Sequence, residues 1–298
     1  MQIQKAYAST PYGQLHYRHA VPATSSSLPV LIFLHKSASS SASMIKLMSH
    51  FSSHGYACYA PDMPGFGSSF DPSDSAIEEI TQQGIRWYCA LYADFFRELG
   101  IWDEKAGVHI IGHHSGAALA PQLAVMFPGI VRTLCLVGPT VVNEAERIAM
   151  RERFLVPFNT PEPSGSHVIK TWEYLGRMGI TSAGACAAPP TSCSAEDLEL
   201  WQRELLDHVR AWKGRLQIYG AVWAIDSEAL FKQVQCPVLA LCAKDDVLYE
   251  HLDNVKKLKE GDESVVVGTV DGANFSIDRD VDGVVSHWTS FLKTWGRQ

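Results

Sequence analysis

The chain has 298 residues, 32 acidic against 25 basic, giving a net charge of -7, and 46% of it is hydrophobic. That length suits one large α/β domain with an inserted lid. The acidic balance without a basic stripe argues against nucleic acid or an anionic membrane surface as the main partner. The first residues, Met1 to Lys5, lack an apolar signal core, and no apolar run reaches the roughly 18 residues of a spanning helix, so a soluble, cytoplasmic protein is expected. Seven cysteines are scattered without a Cys-x-x-Cys pair, and Cys58, Cys135, Cys236 and Cys242 sit in or beside apolar runs. They are expected to be buried thiols, with neither a metal nor any other cofactor implied.

Residues 2 to 20 hold two alternating segments around Pro11-Tyr12-Gly13, the pattern of a β-hairpin. The uninterrupted run Val30-Leu31-Ile32-Phe33-Leu34 is expected to be a strand covered on both faces, and it ends at His35-Lys36-Ser37-Ala38-Ser39. Helical spacing from Met44 to His54 stops at Gly55, and a strand at Ala57-Cys58-Tyr59-Ala60 runs into the breaker-rich Pro61-Asp62-Met63-Pro64-Gly65-Phe66-Gly67-Ser68-Ser69. Ile77 to Leu99 reads as one long amphipathic helix.

The chain then reaches Val108-His109-Ile110-Ile111-Gly112, a buried strand, followed by His113-His114-Ser115-Gly116 and a small-residue helix over Ala117 to Met126. A serine on so tight a strand-to-helix turn projects its hydroxyl above the sheet edge, where the following amide and the helix N-terminus point. Ser115 is accordingly expected at the apex, as a nucleophile, in the spelling Gly112-x-x-Ser115-Gly116. Leu134 to Val137 forms the next strand, and strand and helix alternate as in a parallel sheet with right-handed crossovers. From about Val141 to Gln235 strand signal fades, with helical segments at Glu144-Phe154, His167-Arg177 and Glu196-Trp212. The stretch Gly184-Cys193 is rich in small residues and is expected to be mobile near a pocket mouth. The sheet resumes at Cys236-Cys242, and Val265-Val267 and a helix over Val284 to Trp295 close the chain.

On the elbow Gly112-His113-His114-Ser115-Gly116, the turn Asp62-Met63-Pro64-Gly65-Phe66-Gly67-Ser68 and the order of strand, His35 loop, strand, turn, elbow, lid and acid, the chain resembles the α/β-hydrolase fold superfamily over nearly its whole length. The resemblance implies an α/β class fold: a mostly parallel sheet with helices on both faces, a core of residues 1–140 and 236–298, and a helical lid over 141–235. It also implies Gly116 and Ser37 as donors of the oxyanion-hole amides, although Lys36 replaces the family's usual glycine. In Ala243-Lys244-Asp245-Asp246 the family's spacing selects Asp246 as the acid and leaves Asp245 a solvated loop residue.

Where the family places its histidine, the sequence reads Gly272-Ala273-Asn274-Phe275, and an amide cannot accept a proton near neutral pH. Only His251 and His287 follow Asp246, neither well placed. Asn274 fits either a changed position in an ordinary serine hydrolase or a natural departure toward chemistry that needs no triad. The implied function is a serine hydrolase acting on an ester, lactone or thioester of a mostly apolar small molecule. The alternatives are a non-hydrolytic enzyme such as a lyase, a cyclase or a carbon-carbon cleaving enzyme, and a ligand-binding pseudo-hydrolase. His35 is expected to orient its own loop, while His113 and His114 should pack in the core or beside the pocket floor. His35, Lys36 and His114 from the core and Trp172 and Trp223 from the lid are the candidates for substrate contact. The expected partner is a small apolar or aromatic molecule, and assembly into a homodimer stays open.

Overall fold

The structure, a computed structural model, describes residues 2–22, 28–105, 107–182, 184–185 and 192–296. In chain order it runs β1 (Gln4–Thr10), β2 (Gly13–Ala20), β3 (Val30–Leu34), α1 (Ile45–Ser53), β4 (Cys58–Pro61), α2 (Asp74–Gln83), α3 (Ile85–Glu98), β5 (Val108–His113), α4 (Ser115–Met126) and β6 (Val131–Val137). Five helices follow: α5 (Glu144–Phe154), α6 (Ser166–Arg177), α7 (Ala195–Arg210), α8 (Trp212–Val222) and α9 (Ser227–Lys232). Then come β7 (Val238–Ala243), α10 (Leu252–Leu258), β8 (Val265–Val270), α11 (Ser276–Arg279) and α12 (Val281–Trp295).

Eight strands form one sheet in the order β1-β2-β4-β3-β5-β6-β7-β8. The β1–β2 hairpin joins β4 antiparallel, and every pairing from β4 through β8 is parallel. The run Val30-Leu34 is apolar throughout because both faces are covered. Ile32 and Leu34 belong to a core shared with α2, α3 and α4, whereas Leu31 and Phe33 belong to one shared with α1 and α12. Successive residues of β6 and β7 divide in the same way, Leu134 and Ala240 to the first face, Cys135 and Leu239 to the second. Burying a Leu, Ile or Phe side chain in this way contributes about 1.5–3 kcal/mol, so both faces of the sheet stabilise the fold.

One expected element divides. The segment predicted as a single helix over Ile77 to Leu99 is α2 and α3, separated by Gly84 at φ 60°, where a helix cannot continue. Cys58, Cys135 and Cys242 are buried and Cys236 half-buried, and all four are free thiols. Among the described residues no helix is long and apolar enough to cross a membrane.

The helices between β6 and β7 make up the cap segment, which shares one cavity with the turns after β3, β5 and β7. Three of the helix starts follow local capping chemistry: Asn143 and Glu146 form a reciprocal capping box on α5, Ser194 caps α7 through the Asp197 amide, and Asp226 caps α9 through the Ala229 amide. The cap has a small core of its own, in which Trp172 stacks on Trp201 at 4.3 Å, 8° from parallel, beside Leu175, Ile180 and Phe275. Much of the small-residue stretch Gly184-Cys193, expected to be mobile, lies outside the described residues.

Candidate active site

The turn between β5 and α4 corrects the sequence reading at its centre. The residue with the strained apex backbone is His114, at φ 47° and ψ -106°, and Ser115 is the first residue of α4. The two glycines explain the geometry. A Cβ at Gly112 would strike the Gly116 carbonyl, and a Cβ at Gly116 would strike the carbonyl of Leu34, so β5, α4 and the loop after β3 approach more closely than any side chain allows. Gly112 and Gly116 thus stand two residues on either side of His114. Gly138, at φ 64° beyond β6, clears the space that the His114 ring occupies.

From that apex His114 Nε2 lies 2.7 Å from Asp246 Oδ2. Asp246 sits in the loop after β7, its side chain 1% exposed, with its second oxygen accepting from the Leu248 amide at 2.8 Å. A carboxylate only accepts, so Nε2 carries the proton and Nδ1 presents its lone pair. Among the described residues nothing hydrogen-bonds to Nδ1. Asp245 is exposed, as expected of a loop residue, and it also makes one structural contact. Its Oδ1 accepts from the Ala273 amide at 3.1 Å and fixes the turn that carries Asn274.

Asn274 does line the same cavity as His114, but both ends of its amide are engaged: Nδ2 donates to the Met178 carbonyl at 2.8 Å, and Oδ1 accepts from Val247 at 3.4 Å. It joins cap to core. His251 and His287 are absent from the cavity wall, and His251 faces Glu146 at 3.2 Å.

With His114 at the apex, the amide just beyond it is that of Ser115. This shifts the expected donor from Gly116, which backs onto Leu34, to Ser115, which lines the cavity together with Ser37. The first amides of a helix have no partner within it, so the Ser115 N–H is available. His35 does not face the cavity. Its Nδ1 donates to the Lys36 carbonyl at 2.7 Å while Nε2 accepts from the Met63 amide at 2.9 Å, which fastens the loop after β3 to the turn after β4. Burial holds its pKa below the usual histidine range. In that second turn Asp62 is tied by His16 Nδ1, the Ser41 amide and the Ser68 amide. Burial alone would raise its carboxyl, but these donors bring it down to about 2.

Lys36 lines the cavity, yet its ammonium turns to the cap, 2.5 Å from Glu204 of α7. Glu204 also accepts from Ser39 and Arg203, and Arg203 forms a two-armed pair with Asp278. Two cations and two carboxylates balance in this buried cluster. Burial would push the Glu204 carboxyl up, but the Lys36 ammonium and Arg203 guanidinium overcome it and hold it well below the usual range.

On the next turn of the helix Asp207 bonds Ser40 at 2.9 Å, and here burial first, then the Glu204 charge, push the carboxyl up to about 7 against the weaker pull of Arg203. Asp62 raises it further, and Arg18 also faces it. A carboxyl whose pKa is raised on folding contributes stability below its unfolded value of about 3.9, and that contribution is lost as pH climbs toward 7. Urea unfolding of Asp207→Asn at pH 5 and pH 8 should therefore show a smaller fall in midpoint than the native chain. An equal fall in both proteins would remove Asp207 as its cause.

The cavity has about 50 Å³ of free volume. Beyond the polar groups already placed, it is walled by Met150, Phe154, Leu175, Met178 and Trp223 from the cap and by Leu248 and Phe275 from the core. Trp223 therefore faces it, as expected, but Trp172 does not, being stacked on Trp201 in the cap's own core. His208 was missed in the sequence, and Tyr174 was read only as one of several lid aromatics, because nothing there fixes which face of α6 or α7 meets the cavity. Among the described residues no group of three potential ligands could hold a metal ion.

The parallel sheet, two-sided helical cover, elbow and cap define an α/β-hydrolase fold. The chain belongs to the alpha/beta hydrolase family, whose model matches residues 31–284. Its structure is similar to epoxide hydrolase A from Mycobacterium thermoresistibile, with a TM-score of 0.74 at 18% identity over 98% of each chain. It is also similar to epoxide hydrolase VrEH1 from Vigna radiata, with a TM-score of 0.72 at 18% identity over 98% of each chain. A probable lysophospholipase, BODYGUARD 2 of Arabidopsis thaliana, is 28% identical in an alignment 162 residues long that covers 49% of this chain and 31% of that protein. The chain thus spans about a third of that relative's length.

Proposed function

We propose that the protein is a hydrolase of small, mostly apolar carbonyl compounds, esters, lactones or thioesters, in which a His114–Asp246 pair acts as general base. The observation that carries this is the 2.7 Å bond from Asp246 to a histidine at the apex position. Asp246 fixes the tautomer and stabilises the imidazolium, as the carboxylate does in a triad. Nδ1 removes a proton from water as its oxygen bonds to the carbonyl carbon, and the Ser37 and Ser115 amides stabilise the oxyanion. When the tetrahedral adduct collapses, the leaving oxygen or sulfur takes that proton back from Nδ1–H. The alcohol or thiol and the acid are the products. Names of the relatives, a lysophospholipase and epoxide hydrolases, agree with hydrolysis on this fold.

A second reading rests on the same apex: a base whose ring, among the described residues, bonds no hydroxyl suits abstraction of a proton from substrate, as in a lyase or cyclase. The two readings differ in product. Turnover of p-nitrophenyl acetate with quenched-flow mass analysis tests the first, and product release with no acyl group on the protein is expected. An acetyl group trapped on Ser115 would return that serine to the role of nucleophile, and no hydrolysis of any ester in a panel would favour the second reading.

Room for the His114 ring depends on Gly138. Adding a methyl there, at a positive φ, should displace the ring from Asp246 and lower kcat/KM by about 100-fold, since misplacements near 1 Å have effects of that order. The check is ester turnover by Gly138→Ala alongside its unfolding curve. A folded variant with unchanged turnover would contradict the role given to His114.

A further inference from the structure

The cap contributes a second imidazole to the wall of the cavity that His114 lines. His208 of α7 is 3% exposed and held on three sides: Nδ1 lies 2.8 Å from the Glu204 carbonyl one turn back, its own carbonyl accepts from Asn159 at 2.7 Å, and its ring packs 5.9 Å from that of Tyr174. A backbone carbonyl can only accept, so Nδ1 carries the proton and Nε2 is left as an acceptor. Burial first, and then the Lys36 charge, bring its pKa down to about 3, so the ring stays neutral. Among the described residues Nε2 makes no hydrogen bond, and the residue lines the cavity.

Several other polar groups of the wall are committed, whereas the Ser37 hydroxyl has no partner among the described residues and His114 Nδ1 is open. Lys36 is bound to Glu204, both ends of Asn274 are engaged, and Thr140 donates to the His114 carbonyl at 3.5 Å. The rest of the wall is largely apolar. An acceptor placed so gains from a ligand that donates to it and is left unpaired by one that cannot, which is how buried polar groups discriminate between near-isosteres.

We propose that His208 is a specificity-determining residue that accepts a hydrogen bond from an O–H or N–H group of the substrate. This rests on the reading of the same cavity as the reacting site and narrows the substrate class to small, largely apolar molecules carrying one such donor. The ring is fixed before the ligand arrives, so little ordering entropy opposes the bond.

Phenol and toluene differ in a hydroxyl against a methyl group of similar size, and neither can be hydrolysed, so their binding is independent of the proposed reaction. Affinities for both are measured by ligand-observed NMR on the native chain and on His208→Leu, His208→Gln and His114→Ala. The phenol-to-toluene affinity ratio should fall about tenfold in His208→Leu, the equivalent of one hydrogen bond. It should be largely retained in His208→Gln, whose amide oxygen still accepts, and in His114→Ala. Should His208→Leu fail to fold, His208→Phe serves the same comparison. A ratio unchanged on loss of the His208 acceptor, a ratio lost instead in His114→Ala, or no binding of phenol up to its solubility limit overturns the proposal. Loss of ester hydrolysis in the native chain with the ratio behaving as stated would instead overturn the reaction and leave this site standing.

Discussion

His114→Ala is expected to lower kcat/KM for ester hydrolysis by about 1000-fold, within the range that a positioned general base contributes. Ser115→Ala should change it only by a small factor. The contrast follows from backbone geometry, because Ser115 offers an amide to the oxyanion and alanine has the same amide. Asp246→Asn should fall between the two in kcat, since an asparagine can present its N–H to Nε2 and stabilise the wrong tautomer. All three variants are compared with the native chain at equal folded fraction, read from the near-ultraviolet circular dichroism. Activity abolished by Ser115→Ala and spared by His114→Ala would overturn the assignment.

Glu204→Gln is expected to destabilise the fold by about 3–5 kcal/mol, the usual effect of leaving a buried charge without its partner. Lys36 would then keep its ammonium buried, with only an amide in place of the carboxylate. The Glu204 carboxyl has its pKa lowered on folding, so its contribution is present above the unfolded value of about 4.3 and is lost as pH falls. The gap between native chain and variant should accordingly narrow in acid. Urea midpoints at pH 7 and pH 4 provide the check, and coincident midpoints at pH 7 would show that the pair contributes nothing. Replacing both partners with apolar residues, Lys36→Met with Glu204→Leu, should recover much of the loss.

The covered strands were legible because a short, unbroken apolar run such as Val30-Leu34, bounded by loop residues, suits a strand buried on both faces, and the periodicities of the hairpin and of α12 are local. The break at Gly84 was less so, since one glycine inside an apolar helical pattern is usually tolerated. At the elbow the side-chain type misled. A serine beside a glycine drew the reading to Ser115, although equal spacing from Gly112 and Gly116 already pointed to His114. The glycines record where the backbone must come close, and that requirement does not depend on which side chain stands between them. Asp246 and Asn274 were reached through family spacing, and the structure places Asn274 on the cavity wall and Asp246 behind it, bonded to His114. Trp172 and His208 illustrate the limit. Both lie on amphipathic cap helices, and only the docking of the cap decides which of them meets the cavity.

The bond between Lys36 and Glu204 joins residues 168 positions apart. During synthesis at roughly 5–20 residues per second, Lys36 is made about 8–34 s before its partner exists. Until then the ammonium has no buried carboxylate to meet and stays hydrated, and the segment carrying Ser37 lacks its anchor to the cap. Contacts of such high sequence separation close late and weigh on the folding rate. The cavity floor around Lys36 and Ser37 therefore matures only after the cap has been translated, and a nascent chain ending short of α7 would carry the elbow without the anchored loop beside it.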